Sequence, residues 1–321
     1  MMKPVLYLVI PCYNEEEVLP LTSALFLNEL NKMIREQLID ENSKILFVDD
    51  GSKDQTWELI EQLSKDDSHY IGVSLAHNRG HQNALTAGLL EAKQACDITI
   101  SVDCDGQDDL SVMSQMVKEY LKGSQVVYGV RSDRSSDSPF KRFTAETFYK
   151  FLKAMDVETV FNHADYRLVS KEVLNQFADY HEVNLYLRGL FPLIGYPSSC
   201  VYYKRSKRLA GKSHYPLAKM FSLASDGLTS LSIKPISLIS AFGFVLAFIS
   251  FIVLVIVLII EAINQAFIGW LLVLLVICFL AGIQIFAIGV VGIYVGKTYM
   301  EAKARPRYLI YRRTKITSAN H

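Results

Sequence analysis

Short apolar runs alternate with longer amphipathic stretches along the first 130 or so residues. Val5–Ile10, Lys44–Val48, Tyr70–Ser74, Ile98–Val102 and Val126–Val130 read as strands. Between them Glu15–Leu38, Asp54–Leu63, Gly80–Lys93 and Leu110–Leu121 carry helical periodicity. Strand and helix repeated in this order predict an α/β domain, a mostly parallel sheet covered on both faces. Such sheets take ligands beyond the carboxyl ends of their strands.

The pattern then changes. Leu217, Met220, Phe221, Ala224, Leu228 and Leu231 recur at helical spacing and predict an amphipathic helix, either lying in a membrane interface or packed on the domain core. Ile236–Ile260 and Ala266–Gly296 contain no charged residue, and each exceeds the roughly 20 residues that cross a bilayer. The expected organisation is a catalytic domain over 1–215, an interfacial helix over 216–234, a two-helix transmembrane hairpin over 235–296 and a basic tail over 297–321. The linker Glu261–Phe267 has no Lys or Arg, whereas Lys297, Lys303, Arg305, Arg307, Arg312, Arg313 and Lys315 follow the second stretch. The positive-inside bias places both termini and the catalytic domain on the cytoplasmic side of a plasma (inner) membrane, as a multi-pass protein. Gly292 and Gly296 have GxxxG spacing, with Gly289 on the same stripe, which suggests helix packing and a homo-oligomer.

Charge and cysteines narrow the partners. Among 321 residues, 33 Lys and Arg balance 33 Asp and Glu, so no global field recruits nucleic acid. Five cysteines, Cys12, Cys96, Cys104, Cys200 and Cys278, lack metal or disulfide spacing and fit a reducing compartment. Met1–Pro11 is too short for a signal peptide and reads as the first strand.

Polar, chemically able residues collect where four strands end: Pro11-Cys12-Tyr13-Asn14-Glu15, Asp49-Asp50-Gly51-Ser52-Lys53-Asp54, Asn78-Arg79-Gly80-His81 and Asp103-Cys104-Asp105-Gly106-Gln107-Asp108. Each has a plain alternative, Asp54 as a helix cap for instance, but all four fall at one edge. Asp103 and Asp105 are two apart, so on an extended chain both carboxylates point to one locus. Two carboxylates that close repel without a cation, and with Gln107 they offer oxygen ligands suited to Mg²⁺ or Mn²⁺. No Walker motif or GxGxxG is present, so neither a P-loop nor a dinucleotide fold is indicated.

These four motifs resemble family 2 glycosyltransferases of the GT-A (Rossmann-like) fold. With two C-terminal apolar stretches, the chain resembles the polyprenyl-phosphate branch, which includes dolichol-phosphate mannose synthases and bactoprenol glucosyltransferases. The resemblance covers nearly the whole chain. It implies that Pro11, Tyr13, Glu15, Asp49, Asp50 and Asp103 bind the nucleotide, and that Asp103, Asp105 and Gln107 hold the metal and diphosphate. His163-Ala164-Asp165-Tyr166-Arg167-Leu168 resembles the segment carrying a catalytic base, here Asp165, with Asp105 the second catalytic carboxylate. Arg131, Arg205 and Arg208 match basic positions near an acceptor phosphate. Two positions depart from the family pattern: Asp109-Leu110 stands where proline is frequent, and His214 where lysine is usual.

The reaction implied is inverting transfer of a hexose from a nucleotide sugar to a polyprenyl phosphate, with UDP-glucose as first donor and UDP-GlcNAc or GDP-mannose as alternatives. A diphosphate and a third phosphate sharing one pocket require cations. Arg205, Lys207, Arg208 and Lys212 would also suit anionic lipid. A processive polymer synthase is disfavoured, because the chain has only Trp57 and Trp270 and no Gln-x-x-Arg-Trp. A silent membrane scaffold is the rival from another class.

Overall fold

The computed structural model describes residues 3–132, 163–182, 186–204 and 270–314, with scattered positions between 236 and 259. The amphipathic helix expected over 216–234, Arg205, Arg208 and the linker Glu261–Phe267 lie outside the described residues.

Eight strands form one sheet: β1 (Leu6–Cys12), β2 (Lys44–Asp49), β3 (Tyr70–Leu75), β4 (Ile98–Ser101), β5 (Val126–Arg131), β6 (His163–Ser170), β7 (Ser198–Tyr203) and β8 (Ile310–Arg313), in the order β7-β5-β6-β4-β1-β2-β3-β8. β1 pairs in parallel with β2 and β4, β2 with β3, and β5 with β7. β6 runs antiparallel between β4 and β5, and β8 antiparallel along β3. The sheet is therefore mostly parallel, as expected, with two reversed strands the periodicity did not reveal.

β1 shows why this sheet is covered on both sides. All seven of its residues are buried. Leu6, Leu8, Ile10 and Cys12 face one apolar core, and Tyr7 and Val9 face the other. Helices α1 (Leu19–Arg35), α2 (Thr56–Asp66) and α4 (Met113–Leu121) fill the first core through Phe26, Trp57 and Met116. Helices α3 (His81–Ala92), α5 (Lys171–Ala178) and α6 (Leu187–Ile194) fill the second through Leu85, Phe177 and Phe191. A side chain with two apolar neighbouring layers has no polar face to offer, which is the mark of a doubly covered sheet.

α3 lies close on the sheet because Gly88 has no side chain. A Cβ there would come within 2.4 Å of Val9 Cγ1 and 2.6 Å of Val48 Cγ2. This contact delivers the α3 N-terminus, with His81, to the carboxyl ends of β1 and β2.

Helix α7 (Trp270–Ala302) is 33 residues, about 50 Å at about 1.5 Å per residue. Among the described residues it is the one helix long and apolar enough to cross a membrane, and none of its apolar window is buried. Of the stretch expected as a first span only scattered positions are described, such as Phe242, Val245 and Ile252, all exposed. After α7 the chain turns at Ala304, where φ is +45°, and returns to the sheet as β8. Part of the expected basic tail is thus an edge strand.

Candidate active site

The loops at the carboxyl ends of β1 and β2 are zipped together by their own polar groups. Asn14 donates its amide to Ser52 Oγ and accepts from the Lys53 amide, at 3.0 and 2.9 Å. Glu16 accepts from the Gln55 amide while Asp54 accepts from the Glu16 amide. Asp54 also accepts from the Thr56 amide and hydroxyl, so it does act at the start of α2. Pro11 is buried, Glu15 half-buried, and Tyr13 39% exposed, the one aromatic side chain of this loop open to a ligand.

Asp49 and Asp50, expected at the nucleotide, are both buried. Asp49 accepts from Ser74 Oγ at 2.7 Å and the Ser52 amide at 2.9 Å. Asp50 accepts from the Arg79 and Gly80 amides at 2.7 and 2.8 Å. Burial pushes the Asp50 carboxyl up, against the pull of those two amides. Asp50 thereby braces the loop that leads into α3, and Asp49 ties its own loop to β3.

The Asp103–Gln107 segment differs from the extended chain assumed above. β4 ends at Ser101, and the following residues turn, with Gly106 at φ +67°. The turn separates the two carboxylates by environment: Asp103 keeps about a third of its side chain exposed, whereas Asp105 is buried and accepts from the Gln107 amide at 3.1 Å. Among the described residues no group of three or more His, Cys, Asp and Glu converges as a metal nest. Two carboxylates and one amide oxygen still fit a hard divalent ion that takes its remaining ligands from phosphates and water. Asp109, at the position that departs from the family pattern, caps a 3₁₀ turn over Leu110–Val112 by accepting from the Ser111 amide.

Asp165 is the electrostatic centre. It sits on β6, buried, and bonds the fully buried Arg167. Arg188, in the first turn of α6, donates to both its oxygens, with Nη2 at 3.0 Å from Oδ2. His81 Nε2 lies 3.6 Å from Asp165 Oδ2 and 3.8 Å from Asp103 Oδ1, so it links the base segment to the acidic turn. Burial would push the Asp165 carboxyl up, but Arg188, His81 and Arg167 outweigh it and hold it well below the usual carboxylate range. Burial would lower His81, but Asp165 and Asp103 raise it. A carboxylate so clamped is a weak proton acceptor and a strong anchor for cations.

Arg131, at the end of β5, donates to Tyr203 OH at 3.3 Å and lies 3.7 Å from the buried Asp108, which accepts from the same hydroxyl at 2.6 Å. Its charge is also felt by Asp103. Of the three arginines expected at an acceptor phosphate, it is the one within the described residues, and it stands at the same sheet edge as the acidic turn.

His81 lay in a strand-end run visible in the sequence. Arg167 was two residues from the expected base, but nothing local marked it as buried. Arg188 had no sequence signal: it arrives through α6, whose Leu187 amide is accepted by Gln82 Oε1 on α3.

Comparison with known proteins bears on this arrangement. The sequence pattern of Glycosyl transferase family 2 matches residues 7–177. The uncharacterized glycosyltransferase YkoT of Bacillus subtilis is 45% identical over 96% of this chain and 91% of its own. The prophage bactoprenol glucosyl transferase homolog of Escherichia coli is 36% identical over 95% of this chain and 98% of its own. The bactoprenol glucosyl transferase of Shigella phage SfX is 36% identical over 94% of this chain and 97% of its own. The α/β sheet with its motifs at the carboxyl edge is therefore a GT-A fold, and the chain belongs to glycosyl transferase family 2.

Proposed function

We propose that this chain transfers glucose from UDP-glucose to undecaprenyl or another polyprenyl phosphate, with inversion, at the cytoplasmic face of the plasma membrane. The observation that carries the reading is likeness to bactoprenol glucosyl transferases over 94–95% of the chain, the apolar C-terminal part included. The charge arrangement supports it: Asp103 lies 3.8 Å from His81 and within the field of Arg131, and His81 joins Arg188 at Asp165. Reactants that bring three phosphates need both kinds of group.

The acceptor phosphate oxygen forms the new bond to the anomeric carbon as the bond to the UDP oxygen breaks, and UDP leaves. A phosphate monoester has its second pKa near 6, so the nucleophile is already ionised at neutral pH and needs no strong base. Asp165 suits that chemistry, because it orients Arg188 and His81 and takes no proton. Tyr13 offers a face to the nucleobase, and Arg131, with Arg205 and Arg208, would draw in the acceptor phosphate. Asp103, Asp105 and Gln107 would hold Mg²⁺ or Mn²⁺, which neutralises charge on the departing diphosphate when bound. With α7 as one of two spans, β8 returns the chain to the sheet on the side where the catalytic domain lies, in keeping with cytoplasmic termini.

The test uses purified full-length protein, undecaprenyl phosphate, Mn²⁺ or Mg²⁺ and labelled UDP-glucose, with UDP-GlcNAc and GDP-mannose in parallel. Lipid-soluble label from UDP-glucose is expected. Label from another donor alone overturns the choice of sugar, and none from any donor overturns the transfer itself.

A further inference from the structure

The segment after α7 does more than close the sheet. It bonds to the roots of both loops that bring cations to Asp165. On one side Leu309 O accepts from the Ala76 amide at 2.9 Å, just where β3 runs into the Asn78–His81 loop. β8 pairs there with β3, Leu75 opposite Ile310. On the other side Arg307 donates from Nη2 to Tyr180 O at 3.0 Å and from Nη1 to Glu182 O at 3.5 Å. Those carbonyls follow α5, and six residues beyond Glu182 is Arg188. The far end is pinned by Thr314, which exchanges hydrogen bonds with Gly72, and by Arg313 on Glu91 at 2.7 Å. Tyr308 and Ile310 pack on the second core.

Charge ties the same point to the membrane helix. Burial pushes the Glu182 carboxyl up, Glu301 near the end of α7 adds to this, and Arg307 opposes it. Arg307, bonded to the Tyr180 and Glu182 carbonyls, is thus also within the field of Glu301 at the helix end.

We infer that residues 303–314 are a strap by which the membrane helix positions the active site, with Arg307 its positioning residue. The inference rests on the reading of α7 as a span and of the site as a lipid-phosphate glucosyltransferase. The strap holds the two loop roots at a set spacing, so that His81 and Arg188 both reach Asp165 Oδ2. An ordinary tail would leave that spacing to loop entropy.

The experiment compares full-length wild type, Arg307→Ala and Arg307→Lys in lipid nanodiscs. Amide hydrogen exchange at Leu187, Arg79 and Gly80 is the readout independent of activity. In Arg307→Ala, exchange at Leu187 is expected to accelerate about tenfold or more, with α1 amides within about twofold of wild type. Transfer to undecaprenyl phosphate should lose about tenfold in kcat while KM for the donor stays within about twofold, because misplacement of a group costs rate before binding. Lysine, which can donate to both carbonyls, should recover most of the loss. Unchanged exchange at Leu187, equal acceleration in α1, or unchanged kcat with accelerated exchange each overturns the strap. Should wild type fail to glucosylate the lipid, the functional reading falls, and the exchange data still decide whether Arg307 holds the loop.

Discussion

Replacing Asp165 by asparagine keeps the side chain's size and removes its charge from beneath two guanidinium groups and an imidazole. Arg167 suffers most, because it is fully buried and its Nε has no hydrogen-bond partner among the described residues. Removing one partner of a buried pair costs about 3–5 kcal/mol. Arg167 keeps its bond to Leu187 O and its place over the Phe191 ring, 4.9 Å from the centroid, which argues for the lower end, about 3 kcal/mol. For a domain of this size that corresponds to a fall of about 6–12 °C in the melting midpoint. Thermal unfolding of both proteins followed by near-ultraviolet circular dichroism measures it.

The pH dependence has a definite sign. Asp165 is depressed in the folded state, so its stabilisation is present above the unfolded carboxyl value, about 3.9, and is lost as pH falls through the folded one. His81 is raised, so its share is present below about 6.5 and is lost as pH climbs through its folded value. The gap between wild type and Asp165→Asn should be widest near pH 5 and narrow in both directions, with the Arg167 part persisting at pH 8. A midpoint shift under about 2 °C at pH 5, or a gap that grows from pH 5 to pH 8, would refute the clamp.

Asp50→Asn leaves one of the Arg79 and Gly80 amides facing an NH₂ donor, and should cost about 1–3 kcal/mol by urea midpoint; no change would mean the loop is braced elsewhere. Gly88→Ala drives a methyl into Val9 and Val48 and should destabilise by about 1–3 kcal/mol, against the usual gain from alanine in a helix; a stabilised protein would show that α3 can shift outward. Asp105→Asn should lower glucose transfer about 10²-fold or more in initial-rate assays at saturating Mn²⁺, with a loss under about fivefold excluding a metal role for that carboxylate.

The first five strands and their helices were legible because each carries its own period, and a strand buried on both faces reads as an apolar run wherever it lies. β6 was not, because His163, Asp165 and Arg167 break that run, and the burial of Asp165 and Arg167 is compensated by His81, Leu187 O and Arg188, far along the chain. The acidic turn was legible as a motif but not as a shape: the chain leaves β4 after Ser101 and turns, so Asp103 and Asp105 differ in exposure where an extended strand would have made them alike. β8 was read as a basic tail, since a four-residue edge strand with two arginines has no signal apart from its partner β3.

From the sequence alone, then, came the elements, the edge at which chemistry gathers, the apolar stretches and the family they resemble. These depend on local periodicity and on residues adjacent in the chain. The tertiary structure decided how charges pair: that Asp49 and Asp50 brace loops, that Asp165 is clamped by Arg167, Arg188 and His81, and that the segment after α7 joins the catalytic sheet. A carboxylate's basicity is set by what lies within a few ångströms in space, and here two of those neighbours, His81 and Arg188, come from other helices.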